Sequence, residues 1–375
     1  MKSRHKLVDR AIGCMLGMAC GDALARPLAG LRSTDVARRH GELRGYVEVP
    51  PEEAEPQRAA LKGVHSALTT LALAVVDTLI YGADGPSGPD LARRITMLSF
   101  PRNHLLPWGT LRGAPTGLVR AIDAHARGDD WRLAGVREPD ASALLSVVPL
   151  GLLVGDDLDA VVEIAVDLAL VTHREPRSVA AAVSFINVLR HVVENRNAST
   201  RGMAAAALQA AELACKSMAS RHAGVVAGSP AAANAAISIA LGRAENEPCP
   251  PDMDCRDAPE VALAAVISVA GTTPPVLDGL AALCRRGGAA DILAPALGAL
   301  LGARDGGEHL PLGLIDGLAA HREIEQRAHA LIGDQPPVLP LLYDLEYALA
   351  EREGRWRASR PPPPPAPKKS QLNLL

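Results

Sequence analysis

Apolar residues recur every three to four positions along most of the chain, which is the spacing of a helix that packs against a core. The pattern is strongest in seven segments rich in Ala and Leu, and several of these are apolar on nearly every side, as helices in the middle of a bundle are. The alternation of apolar and polar residues that would predict strands is nearly absent. We therefore predict an all-α fold with helices at residues 67–80, 157–170, 179–193, 203–218, 231–241, 258–270 and 292–301.

Clusters of Pro and Gly interrupt the helical pattern and predict the loops between helices. No repeat of fixed period connects the segments, which argues against a solenoid. Residues 1–353 are therefore predicted to form one domain. The predicted loops lie at residues 48–56, 82–89, 101–107, 248–257 and 305–311.

The last segment, residues 354–375, has a different composition and ends in PPPPPAPKKSQLNLL. A run of prolines favours a stiff polyproline II conformation and has no backbone donors with which to join a core. We predict a disordered proline-rich C-terminal tail. The alternative is a docking peptide that presents Lys368, Lys369 and the leucines at 372, 374 and 375 to a larger assembly.

The composition narrows the class of protein. Only 2% of the 375 residues are aromatic, so Ala, Leu and Val must fill the core, which favours closely packed helices over a β-sandwich. A formal net charge of −3 provides no concentrated basic face for nucleic acid, and no uncharged apolar run is as long as a membrane-spanning helix requires. The six cysteines lack the spacing of a zinc site. We expect reduced, structural thiols in a cytoplasmic protein that binds neither nucleic acid nor a membrane.

Four segments, in order along the chain, resemble the signature segments of the ADP-ribosylglycohydrolase family. The resemblance covers nearly all of the chain before the tail, and it implies an all-α, orthogonally packed single domain. The segments are RAIGCMLGMACGDALARP at 10–27, GVHSALTTLALA at 63–74, VVPLGLL with LVTHRE within 140–175, and GGAADILAPALGALLG at 287–302.

The resemblance also implies a metal site, because this family hydrolyses the glycosidic bond between ADP-ribose and its target with two Mg²⁺ ions. Mg²⁺ prefers oxygen ligands, which the family supplies from a TDDT segment and a GGDADT segment. Here the first segment reads Val64-His65-Ser66-Ala67, and the second keeps only Asp291 as a residue of the ligand type. Two dications with so few carboxylates would repel each other strongly. We therefore expect no metal and no cofactor.

Residues on the substrate side of the family's site differ as well. The acidic residue that follows the GDALG segment in many relatives aligns with Leu28 or Ala29, and an Asn and an Arg fall on Ala141 and Ser146. These differences predict a catalytically inactive member that acts by binding a partner protein or an ADP-ribose-like ligand, and the altered substrate segment favours the protein partner. Two alternatives are a hydrolase of ADP-ribosyl bonds with a rebuilt site, and a scaffold that docks through its tail.

The candidate site residues follow from the same segments. His65, Ser66 and Asp291 are the vestigial positions of the metal site and would form the rebuilt site. Asp22 is a candidate ligand-binding residue, and so are Gly287 and Gly288, since a Gly-Gly pair before a helix can bind phosphate through backbone N–H groups. His173 resembles a family histidine at a helix end, where we expect it to fix local structure.

Overall fold

All seven predicted helices are present in the structure, a computed structural model that describes residues 2–53, 58–83, 85–244, 254–333 and 338–360. These ranges contain seventeen α-helices and no β-strand, which confirms the predicted all-α class. The helices are α1 (Lys2–Ala25), α2 (Ser33–His40), α3 (Ala67–Tyr81), α4 (Gly88–Leu98), α5 (Thr116–Arg127), α6 (Trp131–Ala134), α7 (Ala143–Ser146), α8 (Leu158–Leu170), α9 (Pro176–Glu194), α10 (Thr200–Arg221), α11 (Pro230–Ala244), α12 (Pro259–Gly271), α13 (Val276–Arg286), α14 (Ala290–Asp305), α15 (Leu312–Gly317), α16 (His321–Ile332) and α17 (Leu342–Ala358).

The centre of the fold is the pair α1 and α14, whose backbones approach each other closely. Glycines make this approach possible: a Cβ atom on Gly17 would lie 2.9 Å from the Gly298 carbonyl carbon and closer still to its oxygen. Gly13 and Gly302 face each other in the same way. The second layer is built on α9, which is buried over most of its length and packs against α8, α10, α11 and α12.

The last helix spans the position at which the sequence analysis ends the predicted domain. α17 runs on to Ala358, beyond the predicted domain end at 353, because residues on both sides of that point are packed. Glu353 is buried in ion pairs, and Gly354 lies against the backbone of Leu105. The many charged residues around Glu353 are typical of an exposed segment, but the Glu353 side chain itself is buried. The proline run at 361–375 lies outside the described residues.

The described cysteines are thiols buried in the core: Cys14, Cys20, Cys215, Cys255 and Cys284. Burial raises the pKa of Cys20 and Cys284 to about 12, so these thiols stay protonated and unreactive at neutral pH. Cys249 lies outside the described residues. Among the helices of the described ranges, none is both long enough and apolar enough to cross a membrane.

Candidate functional site

A cavity of about 600 Å³ opens where the C-terminal end of α1 meets the N-terminal ends of α3, α5 and α14. Cavities of this size hold small-molecule ligands in many proteins. The lining carries charged residues of both signs, some of them buried and some exposed. These residues are Arg26, Arg58, Arg120 and Arg256, with Asp22, Glu138, Asp140, Asp257 and Asp291.

Asp22 joins α1 to the start of α3. Its Oδ2 atom accepts hydrogen bonds from the Ser66 N–H at 2.9 Å, the Thr69 N–H at 3.2 Å and the Thr69 hydroxyl at 2.6 Å. A carboxylate at this place stabilises the N-terminal end of a helix. The buried Oδ1 atom has no hydrogen-bond partner among the described residues. Because Asp22 lines the cavity, Oδ1 is the atom that it can offer to a ligand.

Ser66 and His65 are adjacent in sequence, but their side chains lie in different parts of the structure. Ser66 lines the cavity, and its hydroxyl caps α3 by accepting from the Leu68 N–H at 3.1 Å. His65 is fully buried, and its Nε2 lies 3.0 Å from Oε1 of Glu346 on α17. As far as the described residues form it, the cavity lining does not include His65. The structure therefore brings Ser66 and Asp291 to one cavity but directs His65 away from it.

Asp291, in the first turn of α14, is bound at both carboxylate oxygens by Arg256. The Arg256 Nη1 donates to Oδ2 at 2.9 Å and Nη2 donates to Oδ1. Nη2 also donates to the Gly288 carbonyl at 3.2 Å. Burial by itself lowers the pKa of Arg256, but the charge of Asp291 more than offsets it, and the pKa is raised above its ordinary value. Arg256 therefore remains a cation in the cavity wall.

The N–H groups of Gly287 and Gly288, the pair predicted to bind phosphate, donate hydrogen bonds inside the protein. The Gly287 N–H donates to the Cys284 carbonyl at 3.2 Å, and the Gly288 N–H donates to the Leu31 carbonyl at 2.8 Å. Both glycines have positive φ angles, and this turn holds the segment after α1 against the start of α14. Their role is to shape the backbone.

Two buried glutamates of α17 form ion pairs with buried arginines, one of which, Arg26, lines the cavity. Glu353 forms a two-point ion pair with Arg26, with oxygens 2.7 Å from Nη2 and 2.9 Å from Nη1. Glu346 binds Arg112 through Oε2 at 2.6 Å and His65 through Oε1 at 3.0 Å. Burial raises the pKa of each glutamate, but the neighbouring cations more than offset this, and each pKa is lowered to about 2.

His173 lies behind the opposite wall of the cavity, in a network that fixes the loop before α7. Its Nε2 lies 3.2 Å from the Ser142 hydroxyl and 3.9 Å from Oδ2 of Asp140, and its Nδ1 lies 2.8 Å from the Thr172 hydroxyl. Burial lowers the pKa of His173, so the ring is neutral at neutral pH. Asp140, which lies beside this network, lines the cavity.

Sequence reasoning missed Arg26, Arg256, Glu346 and Glu353. No local signal marked Arg26, since Asp22 lies four positions before it and is the obvious partner from the sequence, whereas Glu353 is 327 positions away. No signal marks Arg256 either, which lies in a polar loop.

The two α17 glutamates predict an acid-sensitive fold. Their folded pKa of about 2 lies below the ordinary value of 4.5, so below that value the unfolded chain binds more protons than the folded one. The free energy of unfolding is therefore expected to fall by several kcal/mol as the pH drops from about 4.5 to about 2. Urea unfolding at a series of pH values measures this, and a Glu346→Gln variant should show a shallower fall. A free energy of unfolding that stays constant through this interval would contradict the prediction.

Comparison with known proteins supports the same family assignment. The family model of the ADP-ribosylglycohydrolases matches residues 3–338. An uncharacterized protein of Archaeoglobus fulgidus is 26% identical over 171 residues, which is 46% of this chain and 52% of that protein, so the match spans about half of the relative's length. A solved structure described as an ADP-ribosylglycohydrolase-related protein complex superposes with a TM-score of 0.59. It covers 93% of this chain and 100% of its own at 22% identity, which is a likeness of fold.

The family match ends before α17, so the helix that supplies Glu346 and Glu353 lies outside it. All four segments with signature residues lie inside it, and so do the residues that line the cavity. This chain belongs to the ADP-ribosylglycohydrolase family.

Proposed function

We propose that this protein binds an ADP-ribose-like ligand in the cavity without a pair of Mg²⁺ ions and lacks the dimetal hydrolase activity of its family. The observation that carries the proposal is the salt bridge in which Arg256 occupies both carboxylate oxygens of Asp291. A cytoplasmic location is part of the proposal, supported by the buried thiols.

The donor set does not fit two Mg²⁺ ions. Each such ion takes about six oxygen ligands, including carboxylates that neutralise its charge. Within the described ranges, no group of three or more His, Cys, Asp or Glu side chains could hold a metal ion. Of the positions where the family resemblance implies metal ligands, Ser66 caps a helix and Asp291 is bound to an arginine. A second cation beside that guanidinium would be repelled.

The cavity nevertheless retains the size and chemistry for a ligand. An ADP-ribose-like molecule carries a diphosphate and several hydroxyl groups. Arginines on the lining can bind the phosphates, and the buried Oδ1 of Asp22 can accept from a hydroxyl. Such a hydrogen bond would also satisfy a buried acceptor, which favours binding.

Calorimetric titration of ADP-ribose tests the proposal, with MgCl₂ in one buffer and EDTA in the other. We expect micromolar binding that is equal in the two buffers, and no release of ADP-ribose from a modified protein substrate. The variant Arg120→Ala should weaken binding about fivefold through loss of one hydrogen-bonded cation at the cavity. Arg127→Ala is the matched control, since Arg127 is equally exposed on the same helix but is not among the cavity-lining residues.

Two results would contradict the proposal. Binding or ADP-ribose release that requires Mg²⁺ would mean that the family's dimetal chemistry is intact. Absence of binding in both buffers would mean that the cavity is not a ligand site, and the protein partner predicted from the sequence would become the leading alternative.

A further inference from the structure

We propose that the guanidinium of Arg256 is a built-in cation that takes the place of a divalent ion beside Asp291 and binds the anionic group of the ligand. The part that concerns the ligand rests on the proposed function above. The class of ligand is a phosphate or diphosphate ester, recognised without metal.

Arg256 is held in position from two sides. At its backbone, the carbonyl accepts from the Ala141 N–H at 2.7 Å, which ties the loop before α12 to the cavity wall. At its end, Asp291 and the Gly288 carbonyl fix the guanidinium. A cation held so firmly loses little entropy when a ligand binds, which favours affinity.

The charges around Arg256 explain why a cation is needed there. Asp291 is only 8% exposed, and an unpaired carboxylate at that burial is costly. Asp140 lines the same cavity, and its charge also acts on Arg256. The guanidinium supplies this wall with a positive charge and binds both Asp291 oxygens, so a dication beside Asp291 would have to displace it.

The contacts of Arg256 leave it able to bind an anion. Within the described residues, Nη2 donates twice and Nη1 once, so the second hydrogen of Nη1 has no acceptor. The side chain is 26% exposed and lines the cavity. Guanidinium N–H groups match the geometry of phosphate oxygens. Arg58 and Arg120 line the same cavity and extend the site for a second phosphate.

Removal and chemical rescue of the guanidinium test the inference. In EDTA, Arg256→Ala should bind ADP about tenfold more weakly than the wild type. The affinity of Arg256→Lys should be intermediate, because lysine keeps the positive charge but cannot donate two parallel hydrogen bonds as a guanidinium does. Millimolar guanidinium chloride should restore both the affinity and the melting temperature of Arg256→Ala, while MgCl₂ should leave the wild type unchanged. Arg94→Ala is the control: it removes a partly buried arginine paired with Asp90, away from the cavity, and should bind ADP normally.

Each outcome decides one part of the proposal. Wild-type affinity in Arg256→Ala would overturn the inference and leave the proposed function intact. If the wild type binds no ADP or ADP-ribose, the proposed function fails and the ligand part of the inference fails with it. In that case rescue of the melting temperature by guanidinium would still support the cation part, and absence of rescue would overturn it. Stabilisation of the wild type by MgCl₂ that Asp291→Asn abolishes would overturn the cation part directly.

Discussion

Replacement of Glu346 by glutamine is expected to lower the free energy of unfolding by about 3–5 kcal/mol. Glu346 is fully buried and is the shared partner of Arg112 and His65. Without its charge, the buried Arg112 guanidinium loses its ion-pair partner, and two of its other nitrogens already lack hydrogen-bond partners among the described residues. Urea unfolding at neutral pH measures the change.

The matched control for this experiment is Glu351→Gln on the same helix. Glu351 pairs with Arg355 one turn later, where Arg355 is exposed and Glu351 is half-buried, so its loss should cost less than about 0.5 kcal/mol. A double-mutant cycle of Glu346→Gln with Arg112→Met should give a coupling energy of about 2 kcal/mol. Equal and small effects of the two glutamine variants would show that the buried pair does not support the fold.

Replacement of Gly17 by alanine is expected to cost about 3 kcal/mol or more. The new Cβ would overlap the Gly298 carbonyl group, and backbone cannot rotate away as a side chain can. α1 and α14 would have to separate, which would open the central helix contact over its whole length. The loss should appear as a lower midpoint of urea unfolding.

Gly242→Ala is the control for the glycine prediction. Gly242 lies on the exposed side of α11, and a Cβ there would meet nothing within 4 Å. The same substitution should therefore stabilise the protein by up to about 1 kcal/mol, because alanine favours the helix over the unfolded chain. Similar effects at Gly17 and Gly242 would rule out a tight α1–α14 contact.

The helices could be predicted because their signal is local. A helix such as α3 or α9 repeats its apolar positions every turn, so a short window contains the evidence. The family could be identified for a related reason: the segments at 10–27 and 287–302 carry their residues in consecutive positions. The same kind of local reading predicts that most of the family's carboxylates are missing from residues 64–67 and 287–292.

The tertiary structure alone decided what the charged residues do. Glu346 pairs with His65 across 281 positions, and Asp291 pairs with Arg256 across 35. No sequence window contains both partners, so the sequence left His65 as a site candidate, although the fold turns it towards α17. The N–H groups of Gly287 and Gly288 looked available to phosphate until the fold placed carbonyl acceptors beside them. Helical periodicity is a property of neighbours along the chain, whereas the partner of a buried charge is set by which distant segments fold against it.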